Sequence, residues 1–157
     1  MAHKIRVSSR AIIINDDKIL LNSFDSYYNF PGGGIEENET AKQAVIREVL
    51  EETGLTVDVG ELVFTLEYEP TNCNEKYGNT HHISLFFRCY INNDILPLAV
   101  SEPDMNPENK IASVAKWVSL SDLNKINLVP KINKPLEKYA DTGVFSPAFW
   151  AENEHLS

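Results

Sequence analysis

Apolar and polar residues alternate along several segments of this chain, and a period of two predicts β-strands with one buried face. The first segment, residues 5–15, is rich in β-branched residues, and a second apolar run covers residues 18–21. Asn15, Asp16 and Asp17 end the first run and lead into the second, and residues of these types favour turns. The pattern therefore predicts a β-hairpin at the start of the chain.

A second pair of strands is predicted in the middle of the chain. Residues 62–68 and 81–91 both alternate, and the polar stretch between them predicts a long hairpin loop. In the first run the side expected to be buried consists of Leu62, Phe64, Leu66 and Tyr68. In the second run the apolar side consists of Ile83, Leu85, Phe87, Cys89 and Ile91. One more short strand is predicted at residues 116–118.

An α-helix is predicted over residues 40–52, which contain neither glycine nor proline. Thr40 and Gln43 have the spacing of a capping box at the helix start, and Gly54 suits the helix end. The residues expected to fasten this helix to a sheet are Val45, Ile46, Val49 and Leu50.

The rest of the chain completes a mixed order of elements. Residues 92–110 contain three prolines and no clear period, which indicates an irregular surface loop. A helix start is predicted at Ser121 and Asp122, and a final helix is predicted to begin near Pro130 or Pro135. Because strands and helices do not alternate as βαβ units, an α+β fold, specifically an α/β/α sandwich with a mixed sheet, is favoured. We expect a single domain over residues 1–157, with residues 143–157 as a C-terminal tail.

Charge and composition argue against nucleic acid and membranes as binding partners. The formal net charge of −9 and the sequence pI of about 4.9 argue against a nucleic-acid-binding surface. No apolar run approaches the length of a membrane span, so we expect no membrane partner and a cytoplasmic location. Cys73 and Cys89 do not have the spacing of a disulfide framework or a metal knuckle and are interpreted as free thiols.

Three glutamates at the predicted helix end break two local rules. Glu48, Glu51 and Glu52 stand three and four positions apart, so a helix places them on one face, where they repel each other. They also lie at the negative end of the helix dipole. Arg47 can pair with Glu51, but one guanidinium does not balance three carboxylates. A bound cation would balance them, and oxygen ligands favour Mg²⁺; the alternative is a solvated acidic face.

The same segment resembles the Nudix hydrolase family. Residues 33–55 fit the Nudix box, G-x5-E-x7-R-E-U-x-E-E-x-G-U, where U is aliphatic, at every fixed position. Those positions are Gly33, Glu39, Arg47, Glu48, Val49, Glu51, Glu52, Gly54 and Leu55. The three consecutive glycines of the preceding loop, Gly32, Gly33 and Gly34, allow close approach of a ligand to the backbone.

The resemblance implies a Mg²⁺-dependent pyrophosphohydrolase, with Mn²⁺ as an alternative ion. By this resemblance the metal ligands are Glu48, Glu51, Glu52 and the carbonyl of Gly33. Arg47 orients the carboxylates, and Glu39 is a supporting residue. The substrate would be a nucleoside diphosphate linked to another group or a nucleoside triphosphate, held as a small molecule. Either Glu48 or Glu52 would accept the proton from the attacking water. Because some family members take this base from a later loop, the other candidates are Glu102, Asp104 and Glu108.

Four residues outside the box are candidates for substrate contact, each with a structural alternative. Arg10 either offers its guanidinium to a substrate phosphate or forms a surface ion pair. Tyr28 lies at a position where family members often carry an aromatic residue. It either stacks on a base or packs in the core. His82 and Arg88 either line a substrate groove or have only a structural role in their strand. A homodimer interface is one interpretation of Phe145, Phe149 and Trp150; packing onto their own domain is the other.

Three other functions compete with this interpretation. Isoprenoid diphosphate isomerisation also occurs in the family, but it requires a catalytic cysteine, and neither cysteine has a recognisable context. A non-catalytic module that senses nucleotides is disfavoured by the complete box. RNA decapping is disfavoured by the acidic balance and the lack of an additional RNA-binding segment.

Overall fold

A computed structural model describes residues 3–92 and 113–155. The strands in these residues are β1 (Ile5–Asn15), β2 (Lys18–Ser23), β3 (Tyr28–Asn29), β4 (Gly32–Gly34), β5 (Val57–Tyr68), β6 (His81–Ile91), β7 (Val114–Ser119) and β8 (Phe149–Ala151). The helices are α1 (Ala41–Thr53) and α2 (Asn133–Thr142), with 3-10 helices at Leu120–Lys125 and Glu152–His155.

The strands form one mixed sheet in the order β3-β2-β1-β6-β5-β8, with β4 also paired to β1 and β7 to β2. The predicted hairpin of β1 and β2 and the predicted pair of β5 and β6 are both antiparallel. By contrast, β1 runs parallel to β6, and β5 runs parallel to β8. The prediction of a mixed sheet is therefore confirmed.

Both faces of this sheet are covered. Successive residues of a strand point to opposite faces. On β1, Ile12 belongs to a core cluster that includes Leu136 of α2, whereas Ile13 belongs to a second cluster that includes Val45 of α1. The two helices thus lie on opposite faces, as the predicted α/β/α sandwich requires.

Two predictions of which residues are buried are wrong in detail. Leu62 is 49% exposed because the pairing of β5 with β6 shifts register on either side of it. A bulge of this kind turns a side chain away from the face that alternation assigns to it. Ile46 and Leu50 of α1 are 37% and 51% exposed. The buried residues of α1 are Ala44, Val45, Val49 and Thr53, so only part of the predicted apolar set contacts the sheet.

The tail packs onto the body of the chain. Phe145 and Trp150 are buried in the core, and the Phe145 ring stacks on Phe64 with 4.0 Å between centroids. Phe149 is 52% exposed. Two of the three aromatic residues considered for a dimer interface are therefore used by their own chain.

Both prolines considered for the start of the final helix lie near that start. Pro135 lies in the first turn of α2, and Pro130 precedes the helix. The predicted irregular loop falls almost wholly outside the described residues. In the part of the chain that the structure describes, no helix is long and apolar enough to cross a membrane.

Candidate functional site

Helix α1 is fixed at both ends, and this sets the position of its acidic last turn. Thr40 Oγ1 accepts the N–H of Gln43 at 3.1 Å, and Gln43 Oε1 accepts the N–H of Thr40 at 2.9 Å. At the other end Gly54 adopts a left-handed conformation and donates its N–H to the carbonyl of Leu50. The predicted capping box and helix end are both confirmed.

The glycine loop brings a backbone strand against this turn. A Cβ on Gly33 would lie 2.6 Å from Glu48 Oε1, so only glycine leaves room for the carboxylate. Gly32 has a φ of 143°, a conformation that other residues rarely adopt. The strand is held by pairing of β4 with β1, in which Arg10 is opposite Gly32. Two of the three consecutive glycines therefore have separate reasons for being glycine.

Arg47 makes more contacts than its spacing from Glu51 predicts. Its Nε and Nη2 donate to the two oxygens of Glu39 at 2.7 and 3.0 Å, and its Nη1 donates to Glu48 at 2.9 Å and to Glu51 at 3.4 Å. Nη2 also donates to the carbonyl of Gly34. The hydrogen bond from Arg47 lowers the pKa of Glu39 to about 2, and the bond to Glu39 raises the pKa of Arg47. Arg47 thus ties the glycine loop to the helix and fixes the direction of Glu48.

Glu52 has a different environment. Its Oε2 accepts a hydrogen bond from Asn22 Nδ2 at 2.8 Å and one from the N–H of Gly32 at 3.1 Å. Burial raises the pKa of Glu52 to about 7 against the opposing effects of Asn22, Arg10 and Gly32, and the negative charge of Glu48 adds to the increase. A carboxyl with this pKa exchanges its proton near neutral pH.

The donor chemistry of this turn fits a divalent cation. The side-chain donors are all carboxylate oxygens, the ligands that Mg²⁺ prefers. The space that a Cβ at residue 33 would fill is taken by the carboxylate of Glu48, which lies against the backbone of β4. Among residues 3–92 and 113–155 no three acidic, histidine or cysteine side chains are grouped closely enough to enclose an ion. Glu51 stands apart from the other two, since its side chain is 58% exposed and lies beside Arg47.

A cleft of about 330 Å³ adjoins the glycine loop. Arg6, Ser8 and Arg10 of β1 form one side, and His82, Ser84 and Phe86 of β6 form another. Arg10 Nη1 donates to the carbonyls of Phe30 and Gly32 at 2.9 and 3.0 Å, which places its charge at the junction between the cleft and the acidic turn. A larger depression of about 640 Å³ beside α2 contains no residue of the glycine loop or of α1.

The structure brings together only part of the predicted substrate-binding set. Arg10 and His82 line the cleft, and burial, together with the charges of Arg6 and Arg10, lowers the pKa of His82. Tyr28 is half-buried, packs against the core and lines a separate surface depression. Arg88 donates to backbone carbonyls of Ile12, Ile14 and Cys89 and lies over the Tyr90 ring.

Three further candidates for the base were predicted in the loop after β6. Glu102, Asp104 and Glu108 lie outside the described residues.

Sequence reasoning missed several residues of the site. Asn22 holds Glu52, and the cleft also contains Asn29, Tyr77 and Glu152. For Asn22 the sequence does contain an indication, since a polar residue follows three apolar ones within a strand and is only 3% exposed. Glu152 belongs to the tail, and its approach to β1 and β6 depends on tertiary packing alone.

The two cysteines are free and buried, as predicted for thiols outside a disulfide framework. Burial raises the pKa of both, that of Cys89 to about 12. Neither residue lines the cleft. A thiol with a raised pKa is a poor nucleophile.

A family model and several curated relatives match this chain. The family model described as NUDIX domain matches residues 4–139. An 8-oxo-dGTP diphosphatase of Escherichia coli (strain K12) is 35% identical over 107 residues, which make up 68% of this chain and 68% of that protein. An ADP-ribose pyrophosphatase of Methanocaldococcus jannaschii is 44% identical over 62 residues, which cover 36% of this chain and 37% of the relative.

Solved structures show the same fold. A MutT protein from Methanosarcina mazei Go1 superimposes with a TM-score of 0.62 at 23% identity, and the match covers 91% of this chain and 98% of that one. At this level of identity the likeness concerns the fold alone.

Proposed function

The chain belongs to the NUDIX domain family of hydrolases that act on phosphoanhydrides of nucleotide derivatives, and from this premise we propose its reaction in detail. It cleaves a nucleoside triphosphate, or a nucleoside diphosphate linked to another group, with Mg²⁺ or Mn²⁺ at the end of α1. Glu48, Glu51, Glu52 and the carbonyl of Gly33 would hold the ion. The observation that carries this proposal is the approach of Glu48 to the backbone of Gly33, with Glu52 anchored beside it.

The proposed mechanism begins with charge. A phosphoanhydride is a polyanion that an acidic protein repels, and a bound divalent ion neutralises phosphate oxygens and acidifies coordinated water. Arg10 and Arg6 supply further positive charge at the cleft end nearest the glycine loop. The substrate phosphates therefore lie between these arginines and the acidic turn.

The chain's own residues would then position and deprotonate the attacking water. Its oxygen bonds to one phosphorus, the bridging P–O bond breaks, and the electron pair leaves with the second phosphate group. Glu52 is the preferred proton acceptor because the hydrogen bonds from Asn22 and Gly32 fix its orientation at the acidic turn. Glu48, held by Arg47 at 2.9 Å, is the other acceptor within the described residues.

The test is a hydrolysis screen with Mg²⁺ and variants of the acidic turn. The named activities of the relatives suggest a panel of 8-oxo-dGTP, ADP-ribose, CTP and ordinary triphosphates. Glu52→Gln should reduce kcat/KM by about 10²-fold or more, the usual contribution of a positioned acid or base, and Glu51→Gln should also reduce it because the ion would lose a ligand. The matched control is Glu37→Gln, since Glu37 is an exposed acid in the loop before α1. Unchanged turnover in Glu51→Gln and Glu52→Gln would remove the metal-site assignment.

A nucleotide sensor without turnover makes a different prediction. It would bind the same panel tightly, and no product would form even at high enzyme concentration. Calorimetric titration beside the hydrolysis screen separates the two functions.

A further inference from the structure

Two histidine rings meet at the start of the two central strands, outside the cleft and the acidic turn. His3 precedes β1, and His81 is the first residue of β6, where it is opposite Ile5 in the parallel pairing of the two strands. His3 Nε2 lies 3.0 Å from His81 Nδ1. The ring centroids are 5.1 Å apart, and the ring planes are inclined at 56°. One nitrogen of each ring is therefore in contact with a nitrogen of the other.

The carboxylate of Glu67 determines which nitrogen of His81 carries the proton. Glu67 Oε2, on β5, lies 3.0 Å from His81 Nε2. Because an ionised carboxylate only accepts hydrogen bonds, Nε2 must donate, and it therefore holds the proton of the neutral ring. The lone pair of that ring is then on Nδ1, the atom that faces His3. Histidines bound to metal ions have this arrangement, in which one nitrogen ligates the ion and the other donates to a carboxylate.

The spacing of the two nitrogens suits a tetrahedral ion. Zn–N bonds of about 2.0–2.1 Å at the tetrahedral angle separate two ligand nitrogens by roughly 3.3 Å. The separation of 3.0 Å between His3 and His81 is close to this value. His3 is exposed and lies ahead of the first strand, so it can supply the small outward shift. The side chain of His81 is only 12% exposed and is held by Glu67. One ligand is thus fixed and the other can adjust.

This pair is separate from the acidic turn and from the cleft. The acidic turn contacts β1 through Gly33, which is opposite Ser9, whereas His81 is opposite Ile5. Ser9 stands four residues after Ile5 in β1, roughly 13 Å along the strand, so one ion does not reach both places. His82, the next residue of β6, lines the cleft. Because successive residues of a strand point to opposite faces, His81 belongs to the other face of the sheet.

The donor atoms of the two places select different ions. The acidic turn offers oxygen, which suits Mg²⁺ and Mn²⁺, whereas imidazole nitrogen suits Zn²⁺, Cu²⁺ and Ni²⁺. We propose that His3 and His81 bind a transition-metal ion of the second kind, with Glu67 as the residue that orients His81. Among residues 3–92 and 113–155 no third acidic, histidine or cysteine side chain is placed to ligate the same ion, so water takes the remaining positions. The bound ion ties the beginnings of β1 and β6 together, independently of the proposed hydrolysis.

The test is calorimetric titration of the full chain with ZnCl₂ in excess Mg²⁺, which competes for the carboxylates of the acidic turn. The wild type should bind a single Zn²⁺, and His3→Ala and His81→Ala should each abolish this binding. Glu67→Ala should weaken it by about 10–100-fold, the usual effect of removing the partner of a ligating histidine. Glu67→Gln should recover part of that loss, because its amide oxygen still accepts the Nε2 proton. The matched control is His155→Ala, since His155 is an exposed histidine in the last 3-10 helix.

His3→Ala is the decisive variant, because an exposed residue ahead of β1 can be changed without unfolding the chain, and a melting curve like that of the wild type checks this. Zn²⁺ affinity that survives in His3→Ala, or that falls equally in His155→Ala, would overturn the site. Absence of Zn²⁺ binding by the wild type would also overturn it and leave the pair as a hydrogen bond only. Cu²⁺ gives a second readout under the same conditions. Its electron paramagnetic resonance spectrum should show two imidazole nitrogens in the wild type and fewer in His3→Ala, whereas oxygen ligands alone refute the assignment.

Discussion

Gly33→Ala should separate the position of Glu48 from the stability of the fold. The added Cβ would stand 2.6 Å from Glu48 Oε1, about 0.8 Å short of the 3.4 Å at which ordinary contact begins. The carboxylate must therefore move by nearly 1 Å or turn away. A misplacement of about 1 Å near reacting groups costs about 10²-fold in rate, which corresponds to about 2.7 kcal/mol in the barrier. We expect kcat/KM to fall by that factor.

The assay for this variant needs three measurements. The hydrolysis rate gives the activity, calorimetric titration with Mn²⁺ gives the metal affinity, and urea unfolding gives the stability. Overpacking should cost about 1–3 kcal/mol of unfolding free energy. The control is Gly34→Ala, whose Cβ meets only the flexible end of Arg6 at 3.3 Å and should reduce activity far less. If Gly33→Ala keeps wild-type activity and metal affinity, Glu48 does not act where the structure places it.

Three further predictions follow from contacts within the described residues. Arg47→Lys should lower the unfolding free energy measured in urea titrations, because lysine lacks the forked donors that bind Glu39 at 2.7 and 3.0 Å. The depressed pKa of Glu39, about 2 against an ordinary 4.5, gives stability that is fully present above pH 4.5 and is lost as the pH falls through 2. Melting curves between pH 7 and pH 2 should show that loss, and it should be smaller in Glu39→Gln. Phe145→Ala removes the ring stacked on Phe64 and should lower the free energy of unfolding by about 3–5 kcal/mol. The side chain of Phe149 is exposed, so Phe149→Ala should change that free energy by less than about 0.5 kcal/mol.

Features set by short-range chemistry were predictable from the sequence. The capping box of Thr40 and Gln43, the helix end at Gly54 and the hairpin of β1 and β2 each depend on a few neighbouring residues. The arrangement of Glu48 beside Gly33 was also within reach, because the box gives the spacing between loop and helix. These local elements carry the acidic turn of the candidate site.

Features set by packing across the sheet were not predictable. Alternation on β6 predicted one buried face, but Phe86 and Phe87 are both buried because helices cover both sides of the sheet. Arg88 lies on the polar side of the pattern, yet its guanidinium binds backbone carbonyls rather than the cleft. Glu152 has no sequence pattern that points to a pocket, and only the return of the tail along β5 places it there.

The structure also changes the role assigned to the cation. The sequence argument treated Glu48, Glu51 and Glu52 as one cluster of charge that only an ion could balance. In the fold Arg47 pairs with both Glu48 and the 58% exposed Glu51, and burial raises the pKa of Glu52 to about 7, so the repulsion among the three is relieved within the chain. We therefore expect the helix end to be stable without metal and the ion to be needed only for turnover. Chelation with EDTA should abolish hydrolysis while the cooperative unfolding transition remains. When the ion is present at 100 times its Kd, it should raise the free energy of unfolding by about 2.7 kcal/mol. Loss of the folded state on chelation, measured by circular dichroism, would show instead that the acidic turn depends on the ion.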